Sequence, residues 1–254
     1  MAPEAVIQLT DVQKSFGTHR VLDGVSLEVF RGETLVIIGR SGTGKSTALR
    51  LVTGLSEPDA GVVRVFGRDI SRYGEEEMAE IRKRIGVVFQ YAALFDSLDC
   101  FENVAFRLLR DRGVGRAQAW KKAVEKLEMV GLPERVLSLY PSELSGGMRK
   151  RVGLARAIAA DPEVVLYDEP TSGLDPITSD AIDELIVSMQ KRLKVTSIVV
   201  THDMDSATKV ANRIAMLYDG KIIGCDTPEG IRNTKNPYIR QFVAGSSTGP
   251  IPVP

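Results

Sequence analysis

Three things are scarce or missing in this sequence of 254 residues, and each absence removes a class of function. The first is charge of one sign: 33 Lys+Arg stand against 33 Asp+Glu, so 33 − 33 = 0 with the two histidines left neutral. A nucleic-acid binder needs a basic footprint to displace counterions from phosphates, and a balanced chain lacks one. The second is cysteine. Cys100 and Cys225 lie far apart with no CxxC pair or histidine companion. Neither a disulfide framework nor a zinc site is indicated, and a reducing, cytosolic compartment is the simplest setting. The third is length in the apolar runs. Leu35-Val36-Ile37-Ile38 is typical of the longest, far short of the roughly 20 residues that span a bilayer. Met1-Ala2-Pro3-Glu4 carries an acid where a signal peptide has basic residues, and no apolar stretch follows. The chain is not expected to cross a membrane by itself. There is also no internal repeat and no low-complexity segment.

What is present is an ordinary globular composition, 43% hydrophobic and 26% charged, in a chain long enough for one large core or a core with an inserted subdomain. Short β-branched runs alternate with helical patterns, which predicts an α/β architecture. Strands are expected at Ile7 to Phe16, Val21 to Phe30, Thr34 to Ile38, Gly61 to Phe66, Ile85 to Phe89, Val164 to Tyr167 and Ser197 to Val200. A helix from about Lys45 is ended by Gly54, and another carries Ile182, Leu185, Ile186, Met189 and Leu193 at core spacing. Arg213 to Tyr218 and Lys221 to Cys225, joined by Asp219-Gly220, read as a hairpin. Between Tyr91 and Ala160 helical patterns dominate, with Trp120, Val124, Leu127 and Val130 expected on one inward face. The expected organisation is a core from 1–90 and 161–244, a helical insertion at 91–160, and an irregular Gly/Ser/Pro-rich arm at 245–254.

The sharpest chemical signal is Gly39-Arg40-Ser41-Gly42-Thr43-Gly44-Lys45-Ser46, which fills every fixed position of G-x-x-x-x-G-K-[ST]. Its glycines let backbone amides converge on phosphate oxygens; Lys45 would reach the β- and γ-phosphates and the Ser46 hydroxyl would bind Mg²⁺. A buried strand precedes the loop and a helix amino terminus follows it, the context that phosphate binding needs. Val164-Val165-Leu166-Tyr167-Asp168-Glu169 is an apolar strand ending in two acids. Alone it would be a strand meeting its loop. With a P-loop upstream, Asp168 is expected in the Mg²⁺ shell and Glu169 beside the attacking water. Leu144-Ser145-Gly146-Gly147-Met148 opens a helical run, with Ser145 as expected N-cap and two glycines baring the helix end.

Taken in order, these segments resemble the nucleotide-binding subunit of an ATP-binding-cassette (ABC) transporter, over about Ile7 to Val243. Gly39 to Ser46 matches Walker A, Gln90 the Q-loop, Leu144 to Gly147 the ABC signature, Tyr167-Asp168-Glu169 the end of Walker B, Ser172 to Asp175 the D-loop and His202 the switch histidine. The resemblance implies an α/β fold: a RecA-like P-loop NTPase core with an antiparallel β subdomain and an inserted α-helical signature subdomain. It implies ATP and Mg²⁺ as ligands, bound through Gly39 to Thr47, with Gln90, Ser46 and Asp168 near the metal, and Phe16 stacking on adenine where the family often has Tyr. Glu169 would be general base and His202 would stabilise the γ-phosphate. Two chains would pack head to tail, so that Ser145, Gly146, Gly147 and Asp175 of one close on the nucleotide of the other. Met148 departs from the Gln commonest there and marks a subgroup.

Finer likenesses concern Ala93-Leu94-Phe95-Asp96-Ser97-Leu98 after Gln90, Pro141 to Met148, and the ending Gln241-Phe242…Gly249-Pro250-Ile251-Pro252. These resemble the ATPase of Mce-type lipid transporters, the group of the bacterial Mla system and its plastid lipid-import relative. That implies integral permease subunits docking near Gln90 to Phe101, an MCE-domain lipid-binding subunit, and a peripheral place on the cytoplasmic face of the inner membrane. Importers of osmolytes and amino acids also carry the Gly-Gly-Met variant and form the alternative. A soluble cassette ATPase acting on nucleic acid or ribosomes fits less well, because such proteins carry a second cassette or long coiled-coil insertions. The arm is expected to pack on a second copy of the chain instead of its own core.

Overall fold

The computed structural model describes residues 4–111 and 113–252. Met1 to Pro3 of the amino-terminal reading and the last two residues of the arm, Val253 and Pro254, lie outside the described residues. Along the chain the elements are β1 (Ala5–Phe16), β2 (His19–Phe30), β3 (Thr34–Ile38), α1 (Lys45–Val52), β4 (Ala60–Val65), β5 (Arg68–Asp69), α2 (Glu75–Arg82), β6 (Ile85–Val88), α3 (Cys100–Val104), α4 (Arg116–Met129), α5 (Gly146–Ile158), β7 (Val164–Asp168), α6 (Pro176–Leu193), β8 (Thr196–Thr201), α7 (Met204–Val210), β9 (Arg213–Tyr218), β10 (Lys221–Asp226), α8 (Pro228–Arg232) and α9 (Pro237–Val243). They fall into two compact units, 1–81 with 196–254, and 82–195. This is the expected α/β, RecA-like architecture with an antiparallel β subdomain.

In the first unit β2, β1, β4 and β5 form an antiparallel sheet in that order. A second sheet runs β10-β9-β3-β8, with β3 paired in parallel to both β8 and β9. Every residue of β3 is buried, which is why it reads as a continuous apolar run instead of alternating. The hairpin of β9 and β10 turns through Asp219 (φ 48) and Gly220 (φ 73), the two positive dihedrals that a tight two-residue turn of matching twist demands.

The second unit holds the parallel pair β6–β7 and the helices α3 to α6. Compactness divides the chain elsewhere than composition does, because β6 belongs with α5. A Cβ on Gly86 would lie 2.2 Å from the Ala157 carbonyl oxygen, so strand and helix meet backbone to backbone. Arg84 and Glu163 close the same junction with a two-pronged ion pair. The inward face of α4 is Ala119, Ala123, Lys126 and Leu127, while Trp120 and Val124 are half-buried. The expected stripe is therefore rotated by about one residue. Small alanines let α4 approach closely, and Lys126 is buried with its ammonium on Glu125 and Asp161.

The arm corrects an expectation. It packs within its own unit: Ile251 is 5% exposed, and the Gln241 carboxamide accepts from Ile251 N at 2.6 Å and donates to Ile251 O at 3.0 Å. One side chain thus satisfies both backbone groups of a buried residue, and an apolar anchor outweighs the irregular composition around it. Gln241→Ala orphans both groups and is expected to cost about 1–3 kcal/mol, read as a fall of several degrees in Tm by thermal unfolding. An unchanged Tm would mean that the arm is not held this way.

Candidate nucleotide-binding site

The P-loop leaves the buried β3 and enters α1 at Gly44, the N-cap, which carries no side chain to cap the helix. A helix start without a capping side chain is a place where backbone amides and the helix dipole favour an anion. Gly44 has φ 101, and a Cβ there would sit 2.7 Å from Val21 Cγ1; only glycine fits. Lys45 is 5% exposed, and its Nζ donates to the carbonyls of Gly39 at 2.8 Å and Arg40 at 3.1 Å. The Thr43 hydroxyl donates to Arg40 O at 2.8 Å. A buried ammonium curled inside a ring of backbone puts positive charge beneath the loop, which favours an anion placed over it. These residues fit a nucleotide triphosphate.

His202 follows the wholly buried β8 and is exposed. It shares a cleft with Arg40 and Ser41 of the loop and with Gln241, Phe242 and Ile251. The next residue, Asp203, caps α7 by accepting from Asp205 N and Ser206 N, which fixes the backbone at the histidine. On its other flank the loop lines a cleft with His19, Arg20, Val21 and Tyr218 to Gly220. Phe16 ends β1 with half its surface exposed, and Lys14 Nζ lies 5.6 Å from its ring centroid. An exposed aromatic face beside a positive charge suits a nucleobase.

The second unit holds the remaining expected residues in two groups. In the first, Gln90 Nε2 donates to Ser172 Oγ at 3.2 Å and Ser172 N to Glu169 O at 3.2 Å. The side-chain oxygen of Gln90 is then an acceptor suited to a metal shell. Asp168 closes β7 and is half-buried. Glu169 has φ 47, a left-handed backbone that costs a non-glycine residue about 1–3 kcal/mol and is retained where geometry serves function. Among the described residues no cluster of three His, Cys, Asp or Glu could hold a metal. Within this unit the amide oxygen of Gln90 and the carboxylate of Asp168 are donors of the kind that suits Mg²⁺, which keeps few protein ligands and takes phosphate oxygens for the rest.

In the other group, Ser145 is the N-cap of α5, its Oγ accepting from Met148 N at 3.3 Å. Ser145, Gly146 and Gly147 share a cleft with Gly173, Leu174, Asp175 and Thr178. Gly147 lies close to Thr178, since a Cβ there would be 2.9 Å from Thr178 Cγ2 and would displace that side chain. Asp175 caps α6, with Oδ1 accepting from Ile177 N and Thr178 N at 3.0 Å and Oδ2 from the Thr178 hydroxyl at 2.6 Å. That hydroxyl bond, ahead of the backbone ones, holds its carboxyl below the usual range. Signature and D-loop therefore form one surface, tied through Thr178.

The expected docking stretch Gln90 to Phe101 is only partly a surface. Tyr91 is 83% and Phe95 44% exposed, but Cys100 and Phe101 are fully buried, Phe101 against Trp120 at 4.8 Å between ring centroids. Phe95 stacks on Phe106 at 4.5 Å. Asn103, which nothing in the sequence singled out, is buried and organises this loop: it accepts from Phe95 N and donates to the carbonyls of Phe95, Leu98 and Asp99.

A P-loop opening an uncapped helix, with a histidine in the adjoining cleft, defines a nucleoside-triphosphate-binding protein. The family model described as ABC transporter matches residues 22–172, more than half of the sequence, and the chain belongs to that family. It is 44% identical over 222 residues to the methionine import ATP-binding protein MetN of Rhizobium johnstonii, covering 87% of this chain and 61% of that protein. The chain thus spans about three fifths of that relative's length. It is 42% identical over 265 residues to the chloroplastic protein TRIGALACTOSYLDIACYLGLYCEROL 3 of Arabidopsis thaliana, covering 98% of this chain and 76% of that one. Among solved structures, a dimeric post-hydrolysis state of the ATP-binding cassette MJ0796 bound to ADP and Pi is similar, with 34% identity and TM-score 0.79 over 87% of this chain and 98% of that one. cbiO1 from Clostridium perfringens, part of the ABC transporter complex cbiONQ, matches with 28% identity and TM-score 0.84 over 91% and 92%.

Proposed function

We propose that this chain binds and hydrolyses ATP as the motor subunit of an ABC transporter, working as a pair of copies on membrane permease subunits. The observation that carries this reading is the buried Lys45 ammonium held by its own loop carbonyls at an uncapped helix start. Lys45 and the amides of Gly39 to Thr47 bind the phosphates, and Phe16 stacks on the base. Ser46, Gln90 and Asp168 would hold Mg²⁺, which would supply charge to offset that developing on the phosphate oxygens. Glu169 takes a proton from water as its oxygen bonds to the γ-phosphorus. The bond from that phosphorus to the ADP oxygen breaks, and His202 steadies the departing phosphoryl oxygens. Ser145, Gly146, Gly147 and Asp175 act on the nucleotide held by the other copy.

For the cargo, the amino-acid importer alternative has the better support, from relatives whose printed names are methionine import ATP-binding proteins at 42–44% identity. The lipid reading rests on the chloroplastic relative, which this chain matches over 98% of its length and whose name refers to a galactolipid. The MCE-domain subunit and the Mla/Mce grouping belong with that reading alone. No helix among the described residues is long and apolar enough to cross a membrane, so a membrane position would come through permease partners. Phe89, Tyr91 and Phe95 are exposed aromatic side chains at the Q-loop, and uncovered aromatics of this kind favour a partner surface.

Glu169→Gln is expected to keep ATP binding and lower turnover by roughly 10²–10⁴-fold, the loss typical of a general base. Steady-state phosphate release near the wild-type rate would overturn that role. Phe95→Asp should leave ATP binding and basal hydrolysis unchanged yet abolish co-purification with permease subunits from native membrane. Undiminished capture would put the docking surface elsewhere, and the identity of the captured subunits separates amino-acid from lipid transport.

A further inference from the structure

α5 starts at the signature and carries three residues, 150, 153 and 156, on the side that faces the Q-loop. Lys150 is 6% exposed. Its Nζ donates to Gln90 O at 2.5 Å and reaches Glu169 O at 3.5 Å. With the Gln90 Nε2–Ser172 Oγ and Ser172 N–Glu169 O bonds this closes a ring through four residues. Burial pushes the Lys150 ammonium below its ordinary pKa, opposed by the charge of Glu169. Further along the helix, Gly153 lies against Ala92, where a Cβ would be 3.2 Å from Ala92 Cβ. Arg156 donates to Ala92 O at 2.6 Å and Ala93 O at 2.7 Å. Both alanines are left-handed, at φ 60 and φ 48, as is Glu169 at φ 47. Three strained backbone positions therefore face a buried lysine and a half-buried arginine on one helix.

A bland account is that a long side chain fills a gap and finds carbonyls. That does not explain why its ammonium stops between the Q-loop and the residue that ends Walker B, the two segments that bracket the chemistry. We propose that Lys150 is a positioning residue for hydrolysis: its donor group ties the Q-loop to the end of β7 and sets the backbone from which the Glu169 carboxylate projects. This rests on the reading of Glu169 as general base. What is required is the N–H donors and not the charge, since both partners are neutral carbonyls. The role also makes α5 a rigid link from Ser145, which would serve the other copy's nucleotide, to this copy's own Glu169.

The test is the kcat and KM for MgATP of the full chain, with ATP-binding stoichiometry and Tm recorded beside them. Lys150→Met is expected to lower kcat on the order of tenfold to a hundredfold, as a displaced catalytic group does, with KM and stoichiometry held. Lys150→Gln, which keeps N–H donors on a neutral stem, should retain most of the wild-type kcat. Wild-type kcat in Lys150→Met overturns the proposal, and so does a loss of binding sites in proportion to activity, which marks a structural lysine. If Lys150→Met does not fold, Lys150→Ala carries the same expectation, and failure of both to fold also overturns it. Glu169→Gln separates the two readings. Lost turnover there with wild-type kcat in Lys150→Met removes the positioning role alone; wild-type turnover there removes the general-base reading itself.

Discussion

The nucleotide-binding unit is organised around one buried ammonium, that of Lys45. Taking a charge out of water is costly unless polar groups replace the hydration shell, and here two carbonyls of the same loop do so. That wrapping dictates the rest. Gly39 must run so close to β9 that a Cβ would lie 2.4 Å from the Leu217 carbonyl oxygen, and Gly44 must pack against Val21. β3 must be rigid enough to aim the loop, which its burial and its parallel pairing on both edges provide. The helix start must stay uncapped. Phosphate binding in this account consists of handing the ammonium from carbonyls to phosphate oxygens.

The second unit applies the opposite economy. Where the P-loop leaves its helix start bare, the signature and D-loop helices are both capped by their own side chains, Ser145 and Asp175. Thr178 joins them, touching the space over Gly147 and donating to Asp175. A surface fixed in this way is suited to closing on a ligand held by something else. Lys150 and Arg156 then bind the same helix to the Q-loop backbone, so the elements read as separate motifs form one mechanical body within 82–195.

The sequence was most legible where backbone alone dictates the outcome. The P-loop glycines, the all-buried strands and the Asp219-Gly220 turn follow from sterics of a few consecutive residues, and they lie where expected. The short helices α7, α8 and α9 do not stand out in hydrophobic periodicity, although each carries a local start signal: Asp203, Thr227 and Asn236 cap them, with proline next in the last two. Other features have no local signal. The arm looked irregular because its anchor is a pair of bonds between Gln241 and Ile251 that composition cannot show. Trp120 reads as more core-like than Ala119 by size, but closeness of approach decides which side of α4 faces inward. Asn103 and Lys150 are polar residues whose roles exist only once distant carbonyls have been brought to them.

The proposed shared site places Lys45 of one copy and Ser145 of another on each ATP. Mixing a Lys45→Ala chain with a Ser145→Arg chain, each inactive alone, generates pairs with one intact site and one doubly damaged site. Steady-state ATP hydrolysis measured on the mixture at equal total protein should recover a fraction of wild-type activity. A mixture as inactive as its parents, with mixed pairs demonstrated to form, would contradict the shared site.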